Sequence, residues 1–301
     1  MVALSYASPL RYPGGKGGLS RLLGHIIALN GFNDAVYAEP YAGGAGAALG
    51  LLYSERVSRV LINDIDPRVA AFWRSVTKQS TAFLRLVGQV SLTIDEWRRQ
   101  REIYLHYHRH SSLRVGFATF FLNRCNRSGI LVSGGPIGGY DQRGIWKLDA
   151  RFNREELCER ISTIAAYRDR ILVTELDALV FLRTVVRPIT ATESVFVYLD
   201  PPYFEKGSLL YHDAYDKRAH QAVARFLRRQ RSFRWVLSYD NAPEVRRIYS
   251  AFRQIPFDLA HTAYQRRCGR ELLICRHDLK VPRDVSAWIY RRRVGASFGS
   301  S

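Results

Sequence analysis

Cysteine is scarce in this chain. Cys125, Cys158, Cys268 and Cys275 show no close paired spacing, so neither a disulfide frame nor a thiolate metal site is expected, and the thiols read as reduced and intracellular. No stretch approaches 18 uncharged apolar residues, so nothing reads as a membrane-spanning helix. No charged segment followed by an apolar run opens the chain, so no secretory signal is expected. Internal repeats are absent. His106, His108 and His110 alternate, which does not place them on one helical face, and no metal is expected there. Acidic residues are few: Asp+Glu 27 stand against Lys+Arg 45, for a net charge of +18. That excess favours a polyanionic partner, most simply nucleic acid. Only six of the 45 basic residues are lysine, so an arginine-rich composition offers a competing explanation.

The 301 residues, 47% hydrophobic and 24% charged, suffice for a large globular core. The most informative stretch runs from Val195 to Tyr203, five apolar residues followed by Asp200-Pro201-Pro202-Tyr203. A short apolar run bounded by turn residues reads as a buried strand, and the prolines end it because they carry no N–H donor. Asp200 then sits at a strand's carboxyl end, where open α/β sheets place ligands. A carboxylate, carbonyls on stiff proline backbone and a flat ring suit a planar base held by its amino group. An Asp-Pro turn after a core strand is the plain alternative.

Strands and helices alternate on either side of a long interruption. Ala35–Glu39 reads as a strand, followed by the turn Pro40-Tyr41-Ala42-Gly43-Gly44-Ala45-Gly46 and a helix over 45–53. Such a turn lets a cofactor lie against bare backbone and a helix N-terminus. Arg59–Asn63 is the next strand, ending at Asp64, a carboxylate 21 positions after Gly43 that can accept ribose hydroxyls. With Pro67 close behind, Asp64 also reads as a helix N-cap. Further strands are expected at Ile171–Thr174, with Asp177 beyond it as a base acceptor or N-cap, at Phe233–Tyr239, and at Glu271–Cys275. A helix is expected over 213–230. The earlier segment Ser8–Lys16, with Tyr12, Gly14, Gly15 and Lys16, is not a phosphate-binding P-loop, because Gly17 follows the lysine.

From Pro67 to about Arg170 helical patterns replace the alternation, at 68–78, 93–109, 114–123 and 153–168. A glycine-punctuated stretch, Ile130–Trp146, reads as a hairpin or irregular loop. This insertion carries Asn123, Arg124, Asn126, Arg127, Ser128, Arg143 and Lys147. Arg and Asn can pair with base edges, and Arg and Lys with phosphates. The expected organisation is therefore residues 1–66 and 171–280 as a catalytic unit, 67–170 as an inserted recognition unit, and 281–301 as a frayed tail.

Four blocks occur in an order that resembles the Dam-like, D12-class DNA adenine-N6 methyltransferases: Arg11-Tyr-Pro-Gly-Gly-Lys16, Glu39-Pro-Tyr-Ala-Gly-Gly-Ala-Gly46, Asn63-Asp-Ile-Asp66 and Asp200-Pro-Pro-Tyr203. Phe121–Arg124 with Asn126–Gly129, and Ser238-Tyr-Asp-Asn241, are similar to further family segments. Tyr12 stands where relatives often have Trp, and Tyr41 where many have Phe; both keep an aromatic ring. The resemblance implies a Rossmann-like α/β methyltransferase sheet with helices on both faces and an inserted, mainly helical target-recognition domain with a hairpin or loop. It implies S-adenosylmethionine as methyl donor, held by Tyr12, Lys16, Glu39, Pro40, Tyr41, Gly43, Gly44, Gly46, Asp64 and Asp177. It implies catalysis by Asp200, Pro201, Pro202 and Tyr203 on an adenine flipped from a specific sequence in double-stranded DNA, with no metal. It further implies a monomer in a bacterial or phage-infected cytoplasm, with a companion restriction endonuclease left open. The alternatives are an N4-cytosine methyltransferase, a DNA-binding protein without turnover, and an NAD-dependent oxidoreductase.

Overall fold

The structure, a computed structural model, describes residues 7–11, 16–32, 34–202, 217–260 and 268–290. Seven strands, β1 (Val36–Glu39), β2 (Arg59–Asn63), β3 (Ile171–Thr174), β4 (Val195–Leu199), β5 (Arg234–Asp240), β6 (Arg253–Ala260) and β7 (Cys268–Cys275), form one sheet. Its order is β3-β2-β1-β4-β5-β7-β6. β3, β2, β1, β4 and β5 are parallel neighbours, whereas β7 runs antiparallel to both β5 and β6. Strand order reverses between β1 and β4, and ligands of open α/β sheets bind at such a point, outside the strands' carboxyl ends. β1 and β4 are buried along their whole length, as expected where both sheet faces are covered.

One face packs against α1 (Ser20–Leu29), α2 (Gly46–Tyr53), α3 (Pro67–Lys78), α4 (Ser80–Gln89), α5 (Ile94–Leu105), α6 (Ser112–Cys125) and α7 (Arg154–Ala166). α8 (Ala178–Phe181) runs through a π turn at Leu182–Val186 into a further helical turn at Arg187–Ile189. With α9 (Lys217–Arg229) and α10 (Pro243–Ile248) it covers the opposite face. The helices between 67 and 170 do not bury a core of their own. Phe72, Phe83, Phe117, Phe120, Phe121 and Phe152 form a single apolar cluster that continues into Tyr37 and Phe196 on the sheet. α3 and α6 cross closely: a Cβ on Gly116 would meet the Ala71 carbonyl oxygen at 2.6 Å, so a side chain there would force the helices apart.

One alternative left open is decided, and two expectations change. Of the hairpin and the irregular loop expected over Ile130–Trp146, the structure has the loop, with an isolated bridge between Asn126 and Pro136 and no hairpin ladder among its residues. β6 was absent from the sequence reading. It carries Pro256, tolerated because β6 lies at the sheet edge, where a missing N–H costs no ladder bond. The stretch expected as a tail begins as helix: in α11 (Val285–Tyr290) Val285 is buried and Trp288 stacks on His25 of α1, ring centroids 3.7 Å apart.

Candidate active site at the strand ends

Strand alternation assembles the site. Tyr37, Ile62, Tyr198 and Val236 all face the cluster shared with the helical segment. Residues two further along each strand take the same face, so Glu39, Asp64, Asp200 and Ser238 line one edge of the sheet. Tyr37 donates its hydroxyl to Glu39 Oε1 at 2.8 Å, and the Ala48 amide of α2 donates to the same oxygen at 3.0 Å. Glu39 is 4% exposed. Burial pushes its carboxyl up to about 8, against the hydrogen bonds from Tyr37 and Ala48, and the nearby Asp200 carboxylate pushes the same way. On the adjacent strand Asp200 Oδ1 accepts from Ser238 Oγ at 2.8 Å, and Ser238 Oγ lies 2.7 Å from the Tyr198 hydroxyl. Pro201 is buried and Pro202 half-buried.

Asp64 joins the glycine turn to β2. Its Oδ2 accepts from the Gly43 amide at 2.8 Å and its Oδ1 from the Asp66 amide at 3.0 Å. Enclosure pushes this carboxyl up to about 7, opposed by those two amides. The N-cap of α3 is Asp66, not Asp64: Asp66 Oδ1 accepts from the Arg68 amide at 2.9 Å with Pro67 at the first helical position. Asp64 is thereby left to brace the turn. Asp177 does cap its helix, accepting from the Leu179 and Val180 amides through Oδ1 at 2.9 and 3.1 Å.

Two residues whose roles sequence reasoning missed hold these turns together. Asn63 donates to the Pro40 and Leu176 carbonyls and accepts from the Thr174 hydroxyl and the Leu176 amide, at 2.8–3.0 Å. One side chain thus ties the turns after β1, β2 and β3. The indole of Trp73 donates to the Gly43 carbonyl at 2.9 Å and fixes the glycine turn from α3. Pro40 and Gly43 are buried, and Tyr41, Gly44 and Gly46 half-buried in the same turn. Tyr12, Tyr203 and the side chain of Lys16 lie outside the described residues, as do 213–216 of the expected helix.

The expected nucleic-acid residues separate into two groups. Asn123 is fully buried: its Oδ1 accepts from the Arg11 amide at 2.6 Å, and its Nδ2 donates to the Arg11 and Gly129 carbonyls at 3.0 Å. Gly129, at φ +72°, brings its Cα so near Arg11 that a Cβ would meet the Arg11 carbonyl oxygen at 2.3 Å. Asn126, also fully buried, accepts from the Trp97 indole at 2.7 Å and donates to the Ile130 carbonyl at 2.7 Å. Arg124 is buried, donating to the Arg151 carbonyl at 2.7 Å; burial, with Arg11 and Arg160 nearby, disfavours its charge. Arg127, Arg143 and Lys147 are exposed, and Ser128, in a left-handed conformation, is half-buried. Between the last two cations sit Ile145, 94% exposed, and Trp146, 69% exposed. Gln142 organises this loop, donating to the Ile137 and Gly139 carbonyls and accepting from the Leu148 amide. Exposed apolar side chains flanked by cations are the signal that sequence reasoning passed over. Among the described residues no group of three or more His, Cys, Asp or Glu side chains could hold a metal ion.

A seven-stranded sheet with one reversed strand, and carboxylates lining the strand ends beside its switch point, define an α/β methyltransferase-like protein. The family described as D12 class N6 adenine-specific DNA methyltransferase matches residues 12–262. The chain belongs to that family and is an adenine-specific DNA methyltransferase. Among solved structures it is similar to an rRNA methyltransferase, aviRa, from Streptomyces viridochromogenes. One structure is 13% identical with a TM-score of 0.37, covering 91% of this chain and 89% of that one. A second is 13% identical with a TM-score of 0.33, covering 85% and 81%. No curated protein matches the chain. No helix among the described residues is long and apolar enough to cross a membrane.

Proposed function

We propose that the protein methylates N6 of an adenine flipped out of a specific sequence in double-stranded DNA, using the strand ends of β1, β2 and β4. The observation that carries this reading is the placement of Asp200 beside Glu39, at the point where strand order reverses. The carboxylates suit a cationic donor. Glu39 is buried and Asp64 half-buried, their carboxyls are pushed up to about 8 and 7, and a fixed positive charge nearby offsets that cost. When bound, S-adenosylmethionine supplies a methyl group already activated on a positively charged sulfonium. Glu39 and the Pro40–Gly46 turn would hold its methionine end, with Tyr12 and Lys16, and Asp64 its ribose. Asp177, whose Oδ1 takes both capping amides, would use Oδ2 for the adenine amino group.

The target amine needs help because its lone pair is delocalised into the adenine ring. The Asp200 carboxylate and the Pro201 carbonyl accept the two N6 hydrogens, which favours a pyramidal nitrogen with an available lone pair. The same carboxylate stabilises the positive charge that develops on N6, a preorganised electrostatic effect. Pro202 stiffens the turn, and Tyr203 would stack on the base. Flipping costs a few kcal/mol, and stacking of about 1–3 kcal/mol per base offsets part of it.

For DNA contact, the proposal assigns Arg127, Ser128, Arg143 and Lys147 to bases and phosphates. Asn123, Arg124 and Asn126 hold the loops that present them. Arg127→Ala relaxes sequence preference in methylation-sensitive sequencing. Arg124→Ala leaves the preference unchanged and lowers unfolding free energy by about 1–3 kcal/mol, because buried carbonyls lose their donor. Uniformly weaker binding with unchanged preference would make Arg127 a phosphate contact instead. The overall reading is tested by label transfer: tritium from methyl-labelled donor enters duplex DNA. A protein that retains DNA without incorporating label is a binding module and not the enzyme described.

A further inference from the structure

The Asp200 carboxylate is held from the adjacent strand. β4 and β5 are parallel, with Tyr198 paired to Val236 and Leu199 to Leu237. Ser238, two residues beyond Val236, shares its face and reaches both Tyr198 and Asp200. Each group's proton inventory orders the contacts. An ionised carboxylate only accepts, and a serine hydroxyl has one hydrogen. Ser238 spends that hydrogen on Asp200 Oδ1, so the Tyr198 hydroxyl must donate to Ser238. Tyr198 is 2% exposed and Ser238 is fully buried, so their contact is closed to bulk water, while Asp200 at the far end is half-buried.

We infer that Tyr198 and Ser238 form a directional hydroxyl relay that positions the Asp200 carboxylate for the target amine, making Ser238 a positioning residue for methyl transfer. The inference rests on Asp200 being the amine acceptor. A carboxylate after a strand end turns about its χ angles, and its lone pairs must point at the N6 hydrogens. A bond to Oδ1 from a rigid central strand fixes the carboxylate plane. Tyr198 acts one step back, since its donated hydrogen bond leaves Ser238 only one direction in which to donate.

The relay is tested by steady-state kinetics on the full chain with duplex DNA. Wild type, Ser238→Ala, Ser238→Thr, Tyr198→Phe, the Ser238→Ala/Tyr198→Phe double variant and Asp200→Ala are compared. Misdirected catalytic groups lose up to about 100-fold. Ser238→Ala should therefore lose about tenfold to 100-fold in kcat, with KM for DNA and donor nearly unchanged. Ser238→Thr keeps the hydroxyl in a strand that accepts β-branched residues and recovers most of the rate. Tyr198→Phe should lose less, and the double variant no more than Ser238→Ala, because the two act in series. The inference is overturned if Ser238→Ala turns over at the wild-type rate. It is equally overturned if Ser238→Thr is as slow as Ser238→Ala, or if donor and DNA binding fall in step with kcat. Wild-type and Asp200→Ala controls separate the two levels. A wild-type protein that transfers no methyl group, or an active Asp200→Ala variant, defeats the underlying reading. An active wild type, an inactive Asp200→Ala and an unaffected Ser238→Ala defeat the relay alone.

Discussion

Asp200→Ala abolishes methyl transfer while DNA and donor are still bound. The effect is expected to be among the largest of any single substitution, because the proposed mechanism gives the carboxylate two tasks at once: accepting a hydrogen bond from the amine and stabilising the charge that appears on nitrogen. Loss of one preorganised electrostatic partner costs about 10²–10³-fold in turnover, and loss of the hydrogen-bond acceptor adds to it. Alanine also strands the Ser238 hydroxyl, buried against Tyr198, so a fall of about 1–3 kcal/mol in stability accompanies it. Asp200→Asn keeps the shape and an acceptor for Ser238. It therefore separates lost chemistry from lost folding. Single-turnover rates with pre-bound DNA, alongside thermal unfolding of each variant, give the comparison. A well-folded Asp200→Ala protein methylating at the wild-type rate contradicts the assignment.

Donor affinity should rise with pH through the window from about 6 to 8 and level off above it. Glu39 is pushed up to about 8 because its carboxyl is buried with the Asp200 carboxylate nearby, so below pH 8 the free protein holds it protonated. A fixed cation binds the ionised form. Each unit of pH below 8 therefore weakens binding about tenfold, the usual linkage between a titrating group and its ligand. Asp64, pushed up to about 7, steepens the profile in its lower part. Glu39→Gln should lower the affinity and leave only the shallower rise that Asp64 contributes up to about pH 7. Stability moves the other way. The folded pKa lies above the unfolded value of about 4.3, so the folded state binds more protons between them. Glu39 therefore makes the ligand-free protein less stable as pH rises from about 4.3 to 8. Unfolding midpoints of Glu39→Gln minus wild type should increase with pH across that range. Calorimetric titration of donor at stepped pH checks the affinity, and a pH-independent dissociation constant in wild type would show that the donor's charge does not sit against Glu39.

The sheet was legible wherever a strand was short, apolar and bounded by turn residues. β2, β3 and β4 fall where sequence places them: β2 and β4 are central parallel strands that bury both faces and read as unbroken apolar runs, and β3, at the sheet edge with Leu172 exposed, still reads as a short apolar run. β6 was hidden by the opposite property: an edge strand interrupted by Pro256 and carrying Arg253, Gln254 and Asp258 has no such run. The carboxylates of the site were legible because Glu39 ends its strand and Asp64 and Asp200 directly follow theirs. Their partners were not. Nothing local ties Asn63 to the turns after β1 and β3, or Ser238 to Asp200; only strand pairing does. Residue type also misleads about exposure. Asn123, Arg124 and Asn126 carry groups that read DNA in other settings, yet here tertiary packing turns them inward to hold Arg11, Arg151, Trp97 and Ile130. The exposed Ile145 and Trp146 would be assigned to a core by composition alone.

The most direct test of the strand-end site is nucleoside analysis by mass spectrometry, after the purified protein has acted on unmethylated duplex DNA with S-adenosylmethionine. The account predicts N6-methyladenine as the product, confined to one sequence context. N4-methylcytosine, or DNA left unmodified by a folded protein that binds both donor and duplex, would contradict it.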